Sequence, residues 1–452
     1  MGWRRPLLPG ESGTFPLAVA SGGRYLQTAA GAPILLRGAV GWSAMVALDD
    51  TGRDAWLDDI VSIGCNAVIC NLIEKLWSPS PPEDAFGELP FSATLGGGEV
   101  DFTAPNEAYW AKRDAFTDAC AARNIYALLA QAYWGYAGAS PVEGWSDAIA
   151  ANGSTRRTAY GNWLGSRYAS RTNIGWINYG DALPDATGRG YVKEIQDGIK
   201  ATDMAGRLHL SHFARGSLSS DDSTVAWDIN AAYSAGGSTS PRVHSVVLDG
   251  WAADAGPVIL FEDEYAHRAS GTLTAQQLRK ESWDAWLSGA CGKFHGDEYV
   301  WPFDVANANA ASPQGHWYDH DTDTGAQEAS TAGAFIAARA WWLLAPSTGA
   351  ELVTSGGGTV NTDGYKPRAL ASDGSWGAVY VADGTTVTVD LSLFSATVTA
   401  RWFDPTDGTY SAVTGGPTFA ASGTHAFVAS SEVGNNAAGG TDWVLVLEVS
   451  PV

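Results

Sequence analysis

The chain has 452 residues, with 27 Lys and Arg against 49 Asp and Glu, which gives a formal net charge of −22 at pH 7. Phosphate backbones and anionic membrane surfaces would repel such a chain, so we expect neither nucleic acid nor a membrane as a partner. Hydrophobic residues make up 45% and charged residues 17%, a composition that excludes a disordered or fibrous protein. The length fits one large α/β barrel followed by a small domain.

The N-terminus does not indicate where the protein is located, and the cysteines do not indicate a disulfide framework. The opening residues, MGWRRPLLPGESG, contain only a very short apolar run and do not resemble a secretory signal. No run of about 18 apolar residues predicts a membrane-spanning helix. The four Cys are scattered and form no CxxC pair, so we expect free thiols.

Eight short apolar runs alternate with longer amphipathic segments between about residue 34 and residue 345. The predicted strands are ILLRGAV (34–40), NAVICNLIE (66–74), IYALLAQAYW (125–134), NIGWINYGD (173–181), RLHLSHF (207–213), WDINAAY (227–233), PVILFEDEY (257–265) and GKFHGDEYVW (292–301). The clearest helices between them span 54–64, 106–123, 155–170, 191–203 and 274–292. This alternation predicts an α/β fold, a (β/α)8 TIM barrel.

After Pro346 the chain becomes rich in Gly, Thr, Ser and Val. Short alternating runs are separated by Gly and Asp turns: WGAVYVA (376–382), TVTVDL (386–391), TVTARWFD (397–404) and WVLVLEV (443–449). Such spacing predicts a small antiparallel β-sandwich. We therefore divide the chain into an N-terminal extension (1–24), a barrel (25–346) and a C-terminal sandwich (347–452).

Acids, imidazoles and aromatic rings concentrate at the predicted C-terminal ends of the barrel strands, where barrel enzymes have their active sites. We take these residues as candidate substrate contacts, with core packing as the alternative role of each: Trp42, Glu74, Trp134, Tyr179, His212, Tyr233, Glu264, His295 and Trp301. The 20 Trp and 16 Tyr of the chain offer flat faces that suit stacking on sugar rings.

Two of the apolar strands end on an acid, Asp181 in strand 4 and Glu262 in strand 7. Hydrolysis of a glycosidic bond requires two carboxyls facing each other across the sugar, and strands 4 and 7 lie on opposite sides of such a barrel. We predict Asp181 and Glu262 as the catalytic pair; salt-bridged rim acids are the alternative. Strand alternation gives Glu262 and Glu264 the same face, and Glu262 is preferred because Glu264 already enters the loop.

Other chemistries have weaker support. His212, His267 and His295 could meet acids at the rim, but no HxH or HExxH spacing is present, so no metal is predicted. The chain has no GxSxG, no Walker loop and no strand-turn-helix GxGxxG, so neither a serine hydrolase nor a bound cofactor is predicted. A carbohydrate-binding protein on a barrel scaffold is the alternative from another class.

Several segments together resemble the apiosidase-like family of glycoside hydrolases. They are GRYLQTAAGAPILLRG near the start, AFGELPF (85–91), PNEAYW (105–110), AYGNWLGSRYASRTNIGWINYGD (159–181), PVILFEDEY and GACGKFHGDEYVWPF. The tail, with RWFDPTDGTYSAV (401–413) and TDWVLVLEV (441–449), resembles the small β-sandwich that follows the barrel in that family. The resemblance implies a retaining mechanism with Asp181 as general acid/base and Glu262 as nucleophile, acting on a D-apiose side chain of pectin.

Two departures from the family pattern lie near the expected site. The first strand usually ends in an Asp-Thr-Ala-Trp-like motif, but AVGWSAM (39–45) keeps Trp42 and lacks the acid. The usual Gly-Gly-Asp is Tyr179-Gly180-Asp181. An arabinofuranoside or galactofuranoside is therefore an alternative substrate. We expect the protein to act outside a cell on a polysaccharide or glycan, and the sandwich to buttress the barrel.

Overall fold

A computed structural model describes residues 14–136, 142–234, 241–264, 266–267, 271–303 and 316–449 of the chain. Its main sheet has eight parallel strands: β1 (Leu36–Val40), β2 (Ala67–Asn71), β3 (Tyr126–Ala130), β4 (Ile174–Tyr179), β5 (His209–His212), β6 (Asn230–Tyr233), β7 (Val258–Glu264) and β8 (Ala290–Gly296). They pair in the order β5-β4-β3-β2-β1-β8-β7-β6. Where β5 meets β6, the backbone N–H groups of Asp228 and Ile229 donate to the carbonyl of His209. The predicted TIM barrel is confirmed.

Helices follow most of the strands and cover the outside of the barrel. The longer helices in the described ranges are α1 (Asp50–Ser62), α2 (Glu107–Ala122), α3 (Gly153–Tyr168), α4 (Ala186–Thr202), α5 (Val243–Ala253), α6 (Ala275–Leu287) and α7 (Thr324–Ala337). Asp49, Asp185 and Asp323 begin α1, α4 and α7, and each carboxylate accepts from the backbone N–H three residues on. Such capping satisfies N–H groups that lack a partner within the helix.

A three-stranded antiparallel sheet precedes the barrel, formed by Ala18–Val19, Leu26–Gln27 and Pro33–Ile34. Leu17 and Leu26 belong to the barrel's apolar core, and the ring of Phe15 stacks on Tyr126 at the start of β3. The sheet therefore covers the N-terminal end of the barrel and leaves the C-terminal end open. No helix among the residues described is both long and apolar enough to cross a membrane.

Two antiparallel sheets follow the barrel. The first contains Leu344–Pro346, Arg368–Ala371, Trp376–Val381, Val398–Phe403, Tyr410–Ala412, Thr418–Phe419 and Trp443–Val449, and the second contains Val353–Ser355, Thr386–Asp390 and Thr424–Val428. Alternate residues such as Val387 and Val389 are buried against Trp402 and Phe427. The predicted C-terminal antiparallel domain is confirmed.

One apolar cluster continues from the barrel into the C-terminal sheets. Trp283 of α6 stacks on Tyr380 of the first sheet, with ring centroids 6.0 Å apart and planes 11° apart. Phe335 of α7 contacts Phe403 at 4.6 Å. All of these residues belong to the same core as the barrel strands. The two parts of the chain therefore share a hydrophobic core.

Candidate active site

A cavity of about 350 Å³ opens at the C-terminal end of the barrel. This volume is suited to a small-molecule or single-sugar ligand. Seven predicted site residues line it: Trp42, Glu74, Asp181, His212, Tyr233, Glu262 and Trp301. Both members of the predicted catalytic pair therefore face the same space.

Glu262 reaches the cavity through an irregularity in β7. The register with both neighbouring strands shifts after Leu260, which marks a β-bulge. Phe261 and Glu262 consequently both face inward: Phe261 contacts the His212 ring at 4.3 Å, and Glu262 lines the cavity. Bulges near active sites commonly re-aim a side chain in this way.

The Glu262 carboxylate, 4% exposed, is held by its neighbours. The indole N–H of Trp42 donates to Glu262 Oε2 at 3.3 Å. On the next strand Gly296 provides room, because a Cβ there would lie 2.5 Å from Glu262 Oε1. Trp42, retained from the family motif at the end of the first strand, thus orients the predicted nucleophile.

Asp181 follows β4 after a sharp change of backbone direction. Tyr179 has a φ of +69°, a left-handed conformation that glycine adopts far more easily than tyrosine. Gly180 then passes so close to the segment after β3 that a Cβ would lie 2.7 Å from the Trp134 backbone nitrogen. This turn brings Asp181 to the cavity, with Oδ1 3.9 Å from His212 Nε2.

His212 lies between aromatic rings at the cavity wall. Its ring stacks on Trp42 at 5.6 Å and contacts Tyr233 at 5.1 Å, and the residue is 3% exposed. Burial lowers the pKa of His212 to about 3, so the imidazole is neutral at ordinary pH. Within the described ranges neither ring nitrogen has a hydrogen-bond partner in the protein. A neutral imidazole in this position can donate to and accept from sugar hydroxyls.

Glu74 lines the cavity, but its carboxylate is already engaged by the protein. Oε1 accepts from the backbone N–H groups of residues 75–77 at 2.8, 3.1 and 3.1 Å. Oε2 accepts from Asn71 at 2.9 Å and from Ser43 at 3.2 Å. Glu74 therefore holds the loop that carries Trp77, whose ring meets Trp301 at 5.6 Å, and its role as a substrate contact stays a prediction.

Trp134 and Tyr179 turn away from the cavity. Both residues follow the end of β3 at Ala130, where strand alternation no longer applies: Tyr133 lines the cavity, and Trp134 packs outside it with Tyr179, Val192 and Phe213. The Tyr179 hydroxyl donates to Asp222 Oδ2 at 2.9 Å. The Tyr179 phenol, which stands where the resembled family usually has glycine, thus lies on the outer side of β4.

His295 also points outward, and the side chain of Glu264 lies outside the described residues. His295 Nδ1 is 3.0 Å from Asp263 Oδ1, and His295 shares a small separate cavity with Lys293 between β8 and α7. Lys293 and His295 together outweigh burial and lower the pKa of Asp263 to about 2. Alternation explains the arrangement, because Lys293 and His295 share one face of β8 and Phe294 fills the barrel core.

Several lining residues are not among the predicted substrate contacts: Asn71, Trp77, Tyr133, Tyr136, Glu143, Arg215 and Glu298. Alternation from the inward-facing Leu128 and Ala130 favours Trp134, but β3 ends at Ala130 and it is Tyr133 that lines the cavity. Burial and the nearby Asp181 charge raise the pKa of Tyr133. Trp77, Tyr136, Glu143 and Arg215 lie in loops beyond the strand ends, where no periodicity marks them.

The wall of the cavity is acidic. The described lining residues contribute the carboxyls of Glu74, Glu143, Asp181, Glu262 and Glu298 against the single guanidinium of Arg215. Arg215 Nε donates to the Tyr233 hydroxyl at 3.3 Å. Trp77 donates its indole N–H to Glu143, and burial raises the pKa of this acid. Such a wall repels anionic ligands and suits neutral polyols.

Family models match most of the chain. A model described as "Apiosidase-like, catalytic domain" matches residues 20–343. A second model, from a domain family named for collagen binding, matches residues 359–448. No match was found among curated protein sequences.

Solved glycoside hydrolases share the fold. One described as "Glycoside hydrolase" is 19% identical with a TM-score of 0.76, and 97% of each chain is covered. A glycoside hydrolase family 5 protein from Bacteroides vulgatus ATCC 8482 is 19% identical with a TM-score of 0.75, covering 96% of this chain and 93% of that one. A family 5 mannosidase from Rhizomucor miehei is 14% identical with a TM-score of 0.50, covering 73% and 99%.

Proposed function

Because the chain belongs to the apiosidase-like family and is a glycoside hydrolase, we propose that it cleaves a furanoside bond with retention of configuration. Asp181 serves as general acid/base and Glu262 as nucleophile. The observation that supports this assignment is that these carboxyls, delivered by β4 and β7 with two strands between them, line one cavity with aromatic walls. Two opposed carboxyls are what the reaction requires.

The proposed reaction has two steps. Glu262 attacks the anomeric carbon and forms a glycosyl ester while Asp181 gives its proton to the departing oxygen. Asp181 then removes a proton from water, which attacks the same carbon and releases Glu262. The Trp42 indole N–H stabilises the ionised form of Glu262 by a charge-assisted hydrogen bond.

The sugar we propose is a neutral furanoside, with D-apiose first and arabinofuranose or galactofuranose as alternatives. The family supports apiose, and the acidic wall of the cavity disfavours a uronate. We further propose that the substrate is a polysaccharide or glycan outside the cell. His212 supplies a neutral donor and acceptor for the sugar hydroxyls.

A panel of furanosides and pectic or bacterial cell-surface polysaccharides tests the proposal, with released reducing sugar as the readout. Glu262→Gln should lose about 10⁴-fold or more in kcat with every substrate. Asp181→Asn should lose about 10²- to 10⁴-fold with a poor leaving group and much less with an activated aryl glycoside, which needs no proton. Glu143→Gln, at the same wall but outside the proposed chemistry, is the matched control.

Two outcomes would contradict the assignment. Release by wild type that survives Glu262→Gln would exclude Glu262 as nucleophile. Proton NMR of the first product should show the anomeric configuration of the substrate, whereas the opposite configuration would indicate an inverting mechanism.

A further inference from the structure

Three metal-ligating side chains converge outside the catalytic cavity, between the loop after β8 and the start of α7. Asp297 directly follows β8, Asp323 caps α7, and His320 lies in the turn before that cap. One ligand atom from each of the three lies within 4.8 Å of the other two. From this geometry we propose that Asp297, His320 and Asp323 bind a divalent cation of the zinc class.

The burial and hydrogen bonding of the Asp297 carboxylate are the independent observation that points to a ligand. The residue is 3% exposed, and its Oδ1 accepts from the Tyr299 backbone N–H at 2.8 Å. Its Oδ2 is buried and has no hydrogen-bond partner in the described ranges. A buried carboxylate oxygen without a partner is unfavourable unless a cation or a donor meets it. A cation between the three side chains would satisfy this oxygen.

The other two side chains are compatible with coordination. Asp323 uses Oδ1 to accept from the Ala326 backbone N–H at 3.0 Å, which leaves Oδ2 for a metal. The His320 ring packs on Tyr299 with centroids 4.9 Å apart, so the imidazole is held against the β8 loop. Both residues are half-buried, so a small side-chain movement can bring them to coordination distance.

The donor set selects the class of metal. Two carboxylate oxygens and one imidazole nitrogen suit Zn²⁺, with water as the fourth ligand, whereas Ca²⁺ and Mg²⁺ prefer oxygen donors alone. The separation of ligand atoms in a tetrahedral zinc site is about 3.3–3.6 Å, since each bond is about 2.0–2.2 Å. A contraction from 4.8 Å by side-chain rotation is therefore sufficient.

The cation would act by fixing the β8 loop. Glu298 and Trp301 of this loop line the catalytic cavity. The Asp297 carbonyl accepts from the backbone N–H groups of Val300 and Trp301, both at 2.9 Å. Joining Asp297 to α7 would therefore hold Trp301 in place without contact between the metal and the substrate. This is a positioning role.

Calorimetric titration of the chelator-treated full chain with ZnCl2 tests the proposal. Wild type should bind one Zn²⁺ per chain, and Asp297→Asn, His320→Gln and Asp323→Asn should each weaken binding at least tenfold. Asn caps a helix about as well as Asp, so Asp323→Asn should stay folded. Asp185→Asn, the equivalent cap of α4, is the matched control and should bind Zn²⁺ as wild type does.

Two further readouts complete the test. Zn²⁺ should raise the Tm of wild type and of Asp185→Asn but not of Asp297→Asn. With substrate, removal of Zn²⁺ should raise KM more than it lowers kcat. An absence of Zn²⁺ binding, binding unaffected by all three substitutions, or a preference for CaCl2 in the same titration would each overturn the proposal.

Discussion

Tyr179 occupies a backbone conformation in which its family usually has glycine. The left-handed φ of +69° disfavours a tyrosine by about 1–2 kcal/mol. Contact with Phe213 at 5.0 Å and the hydrogen bond to Asp222 offset this strain. Tyrosine in place of glycine therefore changes the packing of the turn that carries Asp181, and the phenol itself does not contact the cavity.

Replacing Tyr179 by Phe tests this interpretation. The variant should lose about 1 kcal/mol of unfolding free energy, because one hydrogen bond is lost, and should keep kcat/KM within about twofold. Tyr233→Phe is the matched comparison, since that hydroxyl lies in the cavity and accepts from Arg215. It should lower kcat/KM about tenfold or more. Urea unfolding and steady-state kinetics measure both effects, and equal losses of activity would contradict the orientation of Tyr179.

His212 should make the stability of the chain depend on pH. Its pKa is about 3 when folded against the ordinary 6.5, so between these values the unfolded chain binds a proton that the folded chain does not. Above pH 6.5 the imidazole is neutral in both states and leaves the unfolding free energy unchanged, and as the pH falls from 6.5 toward 3 the unfolding free energy decreases. From pH 7 to pH 4 this amounts to about 3 kcal/mol of unfolding free energy.

Substituting Phe for His212 isolates that contribution. The ring contacts with Trp42 and Phe261 can persist, but the titration is removed. The unfolding free energy of wild type should therefore fall by about 3 kcal/mol more than that of His212→Phe between pH 7 and pH 4. Urea titrations at several pH values measure the difference. Parallel curves would show that His212 is protonated in the folded chain.

At the level of strands, the sequence predicted the barrel well, but it predicted less well which side chains point into the barrel and which point out. The eight apolar runs identify β1–β8 because a strand covered on both faces must be apolar throughout. Because such a strand is apolar on both faces, its sequence does not indicate which residues face inward. Beyond the end of β3 the chain turns Tyr133 rather than Trp134 toward the cavity, and the bulge in β7 lets Phe261 and Glu262 both face it. Loop residues such as Arg215 depend on tertiary structure that no local pattern records.

The close contact between β7 and β8 makes Gly296 a test of the bulge. A Cβ at this position would lie 2.5 Å from both the Asp263 carbonyl oxygen and Glu262 Oε1. Gly296→Ala should therefore displace Glu262 and lower kcat about tenfold or more, because small misplacements of a reacting group are costly.

Gly190→Ala is the control for Gly296→Ala. Gly190 lies in α4, and a Cβ there has no neighbour within 4 Å. The change should preserve kcat and stabilise the chain by about 0.5–1 kcal/mol, because alanine favours the helix. Steady-state kinetics and thermal unfolding of both variants measure these changes in kcat and stability. Full activity of Gly296→Ala would mean that Glu262 does not need the room beside Gly296.

At the scale of the whole molecule, a buried ionic network accompanies the apolar contact between barrel and sandwich. Arg279 of α6 donates to both oxygens of Asp442 at 2.9 and 3.0 Å and to Glu328 of α7 at 2.6 Å. The Tyr380 hydroxyl donates to the same Asp442 at 2.9 Å. Arg279 is 3% exposed and Asp442 is fully buried, so neutralising Asp442 would remove two charge-assisted hydrogen bonds, while Glu328 would still pair with the guanidinium.

Deletion of residues 348–452 should consequently give an insoluble barrel. It would expose Trp283 and Phe335, which pack against Tyr380 and Phe403, and it would remove Asp442 from Arg279. A contiguous apolar face of this kind drives aggregation. Asp442→Asn in the full chain keeps the apolar contact and the Arg279–Glu328 pair, so it should remain soluble and active while losing about 1.5–3 kcal/mol of unfolding free energy. Sedimented fraction, Tm and kcat/KM distinguish the two effects, and a soluble, fully active deletion variant would show that the barrel is stable without the sandwich.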